Sequence, residues 1–476
     1  YKHPRRVLFV APEMTDFVKT GGLGDVAAAL PRALRDRADV RVLIPGYPAV
    51  LERGTQLRVV GRVGGRAAIP PCALGVMQLP DGLPVYVLLN PTLYARPGTP
   101  YSAGGGADWD DNAVRFAALS HAAAEIAAGR AGLAWRPEVL HLNDWPGALA
   151  AAYVRWDGTP AATVLTVHNL AYQGLFPLAQ AAALGVPAGG LDDAAFHGRF
   201  SMLRAGLVHA DQVNTVSHSY AREITTEAHG CGLHALLAGR AASGCLSGIV
   251  NGIDAGWDPE RDPHLAAPFA IDRWQGKRTN ARHARRAFGL PDATGPLFAV
   301  VARLVHQKGI DLICEVAPQI AAAGGQILVI GRGEPELERA MVALARAWPG
   351  HIGVHVGFEE ALARRMFAGS DFLLMPSRFE PCGLSQLYAQ RFGSLPIARA
   401  TGGLIDTVDD GVTGFLFHEP TAEALRRCVQ RAFQVHRRPR LLQAMRRAAM
   451  LKPAGWHAAA LQYQALYERA AAAVAA

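Results

Sequence analysis

Short apolar runs of strand type alternate with amphipathic stretches through the first half of the chain. The apolar runs lie at residues 6–11, 39–44, 57–63, 85–89, 139–142, 163–167 and 212–216. Helical periodicity is clearest at residues 112–128 and around 202–209, and a helix rich in Ala and Leu is predicted to end at about Arg35. This alternation predicts an α/β fold whose sheet is mostly parallel, with helices on both faces.

A second set of alternating elements follows a turn-rich stretch at residues 251–259. Its strands are predicted at residues 297–301, 326–330, 352–356, 372–375 and 395–398, and its helices at residues 310–322, 335–348, 359–368 and 383–392. An amphipathic helix is predicted from residue 456 to about 474. We therefore expect two Rossmann-like domains facing a central cleft, covering residues 1–250 and 251–455, and a C-terminal helix at residues 456–476.

Composition narrows the class of protein. Among 476 residues, Lys and Arg outnumber Asp and Glu by 48 to 40 without forming a basic block. This distribution argues against a nucleic-acid partner and is compatible with an anionic substrate. No apolar stretch reaches the ~18 residues of a membrane span, so no membrane partner is expected. The six cysteines form no C-x-x-C pair, which favours a reduced, cytoplasmic protein. The first ten residues lead into a strand, so we expect no signal peptide.

A polar turn at residues 376–382 joins the predicted strand 372–375 to the helix predicted after it. Loops at the carboxyl ends of parallel strands are where open α/β sheets bind ligands. A helix start offers free N–H groups to an anion, and Glu380 just before it offers a carboxylate to sugar hydroxyls. The turn therefore predicts a site for a phosphorylated, hydroxyl-rich ligand.

A glycine-rich loop at residues 19–25 lies between the first strand and its helix. Its Gly22-x-Gly24-x-x-Ala27 spacing matches a dinucleotide fingerprint, but the loop from Ala11 is too long for that tight turn. No acidic residue ends the next strand to bind a ribose. Lys19 beside a glycine loop at a helix start favours phosphate or diphosphate, and the alternative is a plain strand–helix turn.

Three further polar residues follow predicted strands. Arg303 and Lys308 come after strand 297–301, where a diphosphate would arrive, although two solvated cations are the alternative. His168 ends strand 163–167 and is compatible with either a structural or a functional role.

Other catalytic classes find little support. Asp108 and Asp110 resemble a metal-binding acidic pair, but Asp110 or Asp111 is better explained as the N-cap of helix 112–128, and no other cluster predicts a metal. A serine hydrolase would need a G-x-S-x-G elbow, which is absent. A glycosidase would need two facing carboxylates, and only Glu380 is well placed.

With these residues in view, the chain resembles the bacterial glycogen synthases and the related plant starch synthases almost from end to end. The matching motifs, in the family's order, are KTGGLGD (19–25), VHNLAYQG (167–174), VNGID (250–254), Arg303 with QKG (307–309), PSRFEPCGL (376–384) and TGGL (401–404). The resemblance implies a retaining glycosyltransferase of the GT-B type that transfers glucose from ADP-glucose to the non-reducing end of an α-1,4-glucan such as glycogen. It implies that no metal or other cofactor takes part, and that the C-terminal helix returns to the first domain, which binds the glucan.

The resemblance also assigns roles to individual residues. His168 would lie beside the donor glucose near its 6-hydroxyl, Arg303 and Lys308 would hold the diphosphate, and Glu380 would bind glucose hydroxyls. Residues that would contact the donor elsewhere are Lys19, Gly22, Asp25, Cys382, Gly383 and Leu384. Residues at matching positions with less defined roles are Tyr94, Asp144, Asn169 and Asn251.

The chain departs from the family pattern in the first domain. Pro146 follows Asp144-Trp145 where the family usually has His, and Arg204 stands for the usual Lys in a shortened stretch at residues 196–205. Residues 217–220 read Ser-His-Ser-Tyr instead of Ser-Pro-Thr-Tyr. These differences leave the donor residues intact. The alternatives are therefore an enzyme of the same fold using UDP-glucose or another acceptor, a catalytically weak glucan-binding protein, and, more remotely, a nicotinamide oxidoreductase.

Overall fold

The computed structural model describes residues 3–53, 56–104 and 106–475. Tyr1 and Lys2, before the first strand, and Ala476, at the end of the predicted C-terminal helix, lie outside the described residues. The chain divides into two compact units. One consists of Tyr1–Ile249 with Trp456–Ala476, and the other of Val250–Gly455.

The first unit contains a nine-stranded sheet and a small three-stranded sheet. Its strands are β1 (Arg5–Val10), β2 (Ala38–Pro45), β3 (Arg58–Val63), β4 (Cys72–Gln78), β5 (Pro84–Leu89), β6 (Val139–Asn143), β7 (Ala162–Val167), β8 (Leu175–Pro177), β9 (Ala195–Phe196), β10 (Arg199–Ser201), β11 (Gln212–Thr215) and β12 (Leu246–Gly248). The large sheet has the order β12-β11-β7-β6-β1-β2-β5-β4-β3, and the small one β8-β10-β9. The large sheet is parallel from β12 to β5, and β4 and β3 extend it as antiparallel strands.

Helices of the first unit cover the sheet and connect its strands. They are α1 (Gly22–Leu34), α2 (Pro48–Glu52), α3 (Pro91–Tyr94), α4 (Asn112–Ala128), α5 (Asp144–Trp156), α6 (Leu191–Ala194), α7 (Met202–His209), α8 (His218–Glu223) and α9 (His234–Ala242), with short 3-10 turns at Leu178–Gln180, Ala182–Leu184 and Ala188–Gly190. The strands β1, β6 and β7 are buried along almost their whole length, as parallel strands covered on both faces must be.

The second unit is a six-stranded parallel sheet between helical layers. Its strands are β13 (Leu297–Val301), β14 (Gln326–Gly331), β15 (Ile352–Val356), β16 (Phe372–Met375), β17 (Leu395–Arg399) and β18 (Phe415–Phe417), in the order β15-β14-β13-β16-β17-β18. Its helices are α10 (Gln275–Ala287), α11 (Ile310–Ala322), α12 (Pro335–Ala347), α13 (Glu360–Gly369), α14 (Ser385–Arg391), α15 (Gly403–Thr407), α16 (Ala422–His436) and α17 (Pro439–Leu451), with a 3-10 turn at His306–Lys308. Separate apolar clusters form the two faces of this sheet.

The last helix, α18 (Trp456–Ala475), packs on the first unit, against β6, β7, β11 and α1. Its buried face includes Trp456, Tyr463, Leu466 and Tyr467, all part of the first unit's core. The helix therefore completes a hydrophobic core that begins about 450 residues earlier in the sequence, at β1.

The chain order reverses at one point in each parallel sheet. In the first unit β1 lies between β2 and β6, and in the second unit β13 lies beside β16. Loops at the carboxyl ends of such strands diverge to opposite faces and leave a crevice for a ligand. The residues after β1, β6, β13 and β16 are therefore candidates for ligand binding.

The predicted α/β class with mostly parallel sheets is confirmed, but several elements were not predicted. Strand β4 was not predicted because Gly75 interrupts its apolar alternation, and helix α5 was not predicted either. The helix predicted at residues 383–392 begins only at Ser385, since Gly383 has a φ of 74° and Leu384 is the N-cap. Among the residues described, no helix is both long and apolar enough to span a bilayer.

Candidate active site

The loops after β13 and β16 carry the three charged residues predicted from the second unit. Arg303 and Lys308 follow β13, and Glu380 follows β16. Gly309, directly after Lys308, has a φ of 68°, and a side-chain carbon there would overlap the carbonyl oxygen of Pro376. This close approach holds the two loops against each other.

Lys308 and Glu380 form a largely buried ion pair. Lys308 Nζ lies 2.6 Å from Glu380 Oε2 and 2.9 Å from Oε1, and the Glu380 side chain is only 6% exposed. Ser377 Oγ donates to the same carboxylate at 2.9 Å. Arg303, which is exposed, donates from Nη2 to Gln307 Oε1 at 3.5 Å. The site thus presents a cation beside a carboxylate that is held in one orientation.

The backbone between Glu380 and α14 is packed against a second loop. The Gly403 N–H donates to the Glu380 carbonyl at 3.0 Å, and a side-chain carbon at Gly403 would overlap the carbonyl of Cys382. Burial raises the pKa of the Cys382 thiol to about 12, and the backbone N–H of Asn251 partly offsets this by donating to the sulfur. The Asn251 Oδ1 is buried without a partner. The predicted residues Asn251, Cys382, Gly383 and Leu384 therefore belong to the same part of the second unit as Glu380.

In the first unit the glycine loop places Lys19 against Asp25. Lys19 Nζ lies 2.7 Å from Asp25 Oδ2, and Thr15 Oγ1 donates to Asp25 Oδ1 at 3.0 Å. Gly22 is exposed as the first residue of α1. Lys19 and Asp25 are thus preorganised at the carboxyl end of β1.

Glu13 lies beneath this loop and was not predicted from the sequence. It is 2% exposed, and its Oε2 accepts a hydrogen bond from the Thr20 N–H at 2.6 Å. Burial raises the pKa of Glu13 to about 7, although the N–H groups of Thr20, Gly21 and Gly24 stabilise the anion. The Thr20 amide of the glycine loop is therefore directed at an internal carboxyl group.

His168, Asp144 and Asn169 meet at the ends of β6 and β7. Asp144 Oδ1 accepts hydrogen bonds from the backbone N–H of His168 at 2.6 Å and of Asn169 at 3.4 Å. Asp144 has a φ of 51°, a left-handed conformation that costs a non-glycine residue about 1–2 kcal/mol. Burial, with a smaller contribution from Glu13, raises the pKa of Asp144 to about 7, and burial lowers the pKa of His168 to about 3. The histidine is therefore neutral at physiological pH.

Two residues singled out in the sequence lie elsewhere. Tyr94 is fully buried, and its hydroxyl donates to the Arg115 carbonyl at 2.6 Å, so that hydroxyl is not presented to a ligand. Asp111 occupies the N-cap position of α4 but makes no capping bond; its carboxylate accepts from Arg96 at 2.6 and 2.8 Å. Among the described residues, no group of three or more His, Cys, Asp or Glu side chains could hold a metal.

Comparison with known proteins identifies the family. Residues 6–239 match the family described as starch synthase catalytic domain, and residues 282–449 match glycosyl transferases group 1. A glycogen synthase of Xanthomonas campestris pv. campestris (strain 8004) is 66% identical over 465 residues, 98% of each chain. The chain belongs to the glycogen synthase and starch synthase family. A glycogen synthase of Pseudomonas fluorescens (strain Pf0-1) is 56% identical over 467 residues, 98% of this chain and 96% of that one.

Solved structures agree with this family and its GT-B fold. The catalytic domain of starch synthase IV from Arabidopsis thaliana, bound to ADP and acarbose, superposes with a TM-score of 0.88 at 30% identity, covering 99% of this chain and 100% of that one. A sucrose-phosphate synthase from Thermosynechococcus elongatus has a TM-score of 0.62 at 19% identity, covering 98% and 100%, and supports the fold alone. The protein is thus a glycosyltransferase of the GT-B type.

Two of the departures from the family pattern, at Pro146 and at residues 217–220, are accommodated at helix starts, whereas Arg204 leaves a buried donor unsatisfied. Pro146 lies in the first turn of α5, where a missing N–H costs nothing, and its carbonyl accepts from Ser120 at 3.1 Å. Ser217 Oγ caps α8 by accepting from Tyr220 N–H at 3.1 Å. Arg204, in place of the family's usual Lys, has its Nε buried without a partner.

Phe358 is a further residue that the sequence analysis missed. It follows β15, at the same sheet edge as Arg303 and Glu380, and its side chain is 65% exposed. An exposed aromatic ring at a ligand-binding edge offers a face on which a flat ring can stack. The available signal was a single aromatic residue two positions after the strand predicted at residues 352–356.

Proposed function

We propose that the protein transfers glucose from ADP-glucose to the non-reducing end of an α-1,4-glucan such as glycogen, with retention of configuration. The observation that favours this function is the ion pair of Lys308 and Glu380, with Arg303 earlier in the same loop, at the point where the strand order of the second unit reverses. Two cations suit a diphosphate and a held carboxylate suits sugar hydroxyls, so one site fits both parts of a nucleotide sugar.

Each part of the donor is assigned to named groups. Arg303 and Lys308 bind the diphosphate, and Glu380, oriented by Ser377, binds glucose hydroxyls. The exposed ring of Phe358 stacks on the adenine base. Residues of the second unit that line the sugar and phosphate are Asn251, Cys382, Gly383 and Leu384.

The first unit contributes the remaining groups. Lys19, Gly22 and Asp25 contact the sugar-phosphate end of the donor, and neutral His168, supported by Asp144 and Asn169, lies near the glucose 6-hydroxyl. The glucan acceptor binds to this unit. Because its hydroxyl is buried and bonded to the Arg115 carbonyl, Tyr94 stabilises the core and does not contact the ligand through that group.

The reaction exchanges one bond at the glucose anomeric carbon. The bond from C1 to the diphosphate oxygen breaks, and a bond from C1 to the 4-oxygen of the terminal acceptor glucose forms on the same face. The proton of the acceptor hydroxyl passes to the departing diphosphate, so the products are ADP and a glucan longer by one residue. Arg303 and Lys308 stabilise the charge that develops on the leaving group. We propose that no metal and no other cofactor takes part.

Free cysteines support a reducing compartment. None of the six is paired in a disulfide, and the relatives named above are bacterial glycogen synthases. We assign the protein to the cytoplasm.

The function is tested by measuring ADP release from ADP-glucose in the presence of glycogen. We expect release that depends on glycogen, with incorporation of glucose into polymer, and a much lower rate from UDP-glucose. Faster release from UDP-glucose would replace the proposed donor. Binding of glycogen without any release would favour the alternative of a catalytically weak glucan-binding protein.

A further inference from the structure

One buried amide in the first unit has two fixed hydrogen-bond partners. Asn143 is the last residue of β6 and is completely buried. Its Nδ2 donates to the Val10 carbonyl at 2.9 Å, and its Oδ1 lies 2.9 Å from His168 Nε2. Because a carbonyl oxygen only accepts hydrogen bonds, the amide nitrogen must face Val10 and the amide oxygen must face the histidine.

This arrangement determines where the imidazole of His168 carries its proton. The Asn143 oxygen can only accept, so Nε2 of His168 must donate. The ring is neutral because burial lowers the pKa of His168 to about 3, and Nδ1 therefore keeps its lone pair. Nδ1 has no hydrogen bond to any residue that the structure describes, and it is not among the buried polar atoms without a partner. It is an acceptor open to a ligand.

We propose that Asn143 is a positioning residue for glucosyl transfer: it holds His168 in the Nε2–H tautomer, so that Nδ1 accepts a hydrogen bond from a hydroxyl of the donor glucose. The inference rests on the proposed function, in which His168 lies beside the donor sugar. It also predicts donor specificity, because an acceptor nitrogen favours a sugar with an O–H at that position over one with hydrogen or fluorine there.

The tautomer can be measured without any activity. In protein labelled with ¹⁵N-histidine, long-range ¹H–¹⁵N correlations distinguish a protonated ring nitrogen from an unprotonated one, and the His168 signals are identified by their loss in His168→Ala. Between pH 6 and 8 we expect protonated Nε2 and unprotonated Nδ1 in the wild type, and a mixture of tautomers in Asn143→Leu. Protonated Nδ1 in the wild type would overturn the inference.

Kinetics then test whether Asn143 acts through His168. We expect Asn143→Leu to lower kcat/KM for ADP-glucose about tenfold, the effect of one lost hydrogen bond of average strength. Asn143→Asp keeps an oxygen that accepts from Nε2–H and is therefore expected to retain more activity than Asn143→Leu. Asn214→Leu is the matched control, since Asn214 is a fully buried amide in the same sheet whose hydrogen bonds are to Thr166 and Tyr463.

A double-mutant cycle provides the decisive comparison. In a His168→Ala background, Asn143→Leu should cause no further loss, because its target is already absent. An equal loss in both backgrounds would show a general packing effect and overturn the positioning role. If the wild type releases no ADP from ADP-glucose, the proposed function fails, whereas the NMR result still decides the tautomer.

Discussion

The ion pair between Lys308 and Glu380 determines how both residues respond to mutation. The Glu380 carboxylate is almost fully buried, with Lys308 and Ser377 as its donors. Removing one partner of a buried pair costs about 3–5 kcal/mol, because the other charge is left uncompensated. Lys308→Ala therefore tests folding and chemistry at once, and variants that keep a hydrogen-bonding side chain separate the two.

We expect Lys308→Gln and Glu380→Gln each to lower kcat/KM for ADP-glucose by about a hundredfold or more, the scale seen when one preorganised charge-stabilising group is removed. Their melting temperatures should fall less than that of Lys308→Ala. Steady-state kinetics and thermal unfolding measure the two effects. Glu423→Gln, which breaks the exposed pair with Arg426, is the control and should leave turnover unchanged. Near-normal turnover in Lys308→Gln would contradict the diphosphate assignment.

Phe358 should act on donor binding alone. Its side chain is 65% exposed, so Phe358→Ala removes little core packing and should leave the unfolding free energy nearly unchanged. Loss of stacking worth about 0.5–1.5 kcal/mol would raise the KM for ADP-glucose about two- to tenfold. Phe358→Tyr retains the ring and should behave like the wild type. An unchanged KM in Phe358→Ala would remove adenine stacking from the proposed function.

At the scale of elements, the glycine after Lys308 holds two strand ends together. Gly309 and Gly289 both have a φ of 68°, but a side-chain carbon at Gly289 would meet open space, whereas at Gly309 it would overlap Pro376. Gly289→Ala should therefore cost only the left-handed conformation, about 1–2 kcal/mol. Gly309→Ala should cost about 1–3 kcal/mol more from overpacking and should also reduce turnover, since it displaces Lys308. Equal melting temperatures for the two variants would contradict this close approach.

A buried histidine links the C-terminal helix to the sheet of the first unit. His141 Nδ1 accepts from the Tyr467 hydroxyl and Nε2 donates to Thr166 Oγ1, both at 2.7 Å, because Thr166 in turn donates to Asn214. Burial lowers the pKa of His141 to about 3 from its ordinary value of 6.5. Between about pH 3 and pH 6.5 the imidazole of His141 is protonated in the unfolded chain but not in the folded protein. The stability that is present above pH 6.5 is therefore lost as the pH falls through this range.

Between pH 7 and pH 5 we expect the free energy of unfolding of the wild type to fall by about 2 kcal/mol more than that of His141→Gln. The extra fall accumulates at about 1.4 kcal/mol per pH unit below 6.5. Glu13 and Asp144 have raised pKa values and act in the opposite direction, but they are present in both proteins and cancel in the comparison. Denaturant unfolding at the two pH values measures the difference. His457→Gln, on the exposed face of the same helix, is the matched control. A difference that does not change with pH would show that His141 titrates normally.

The sequence predicted elements with local periodicity better than elements defined by distant partners. Strand β16 and helices α4, α7 and α11 occur where the pattern placed them, because their apolar residues alone specify them. The antiparallel strand β4 and the carboxyl group of Glu13 had no comparable local signal. Glu13 and Asn143 matter through residues they contact only after folding, so charge and spacing along the chain gave no indication of them.

At the scale of the whole molecule, the first unit is built from two separate parts of the sequence. Its core includes Trp456, Tyr463, Leu466 and Tyr467 of α18, and each fully buried side chain of this kind contributes about 1.5–3 kcal/mol. Together the four contribute about 6–12 kcal/mol, before the entropy cost of ordering them is subtracted. The second unit, by contrast, has its two apolar clusters within Val250–Gly455.

Expression of separate fragments tests this organisation. A fragment covering Val250–Gly455 should unfold cooperatively on its own, and calorimetry should show that it binds ADP. A fragment ending at Ile249 should fail to fold, because the face of its sheet that α18 covers is left exposed; supplying residues 456–475 as a separate peptide should restore a cooperative transition. The same peptide with Tyr463 and Tyr467 both changed to Asp is the control and should not restore it. Cooperative unfolding of the shorter fragment alone would show that α18 is dispensable. Failure of the Val250–Gly455 fragment to bind ADP despite folding would count against the donor assignment while leaving the organisation of the chain intact.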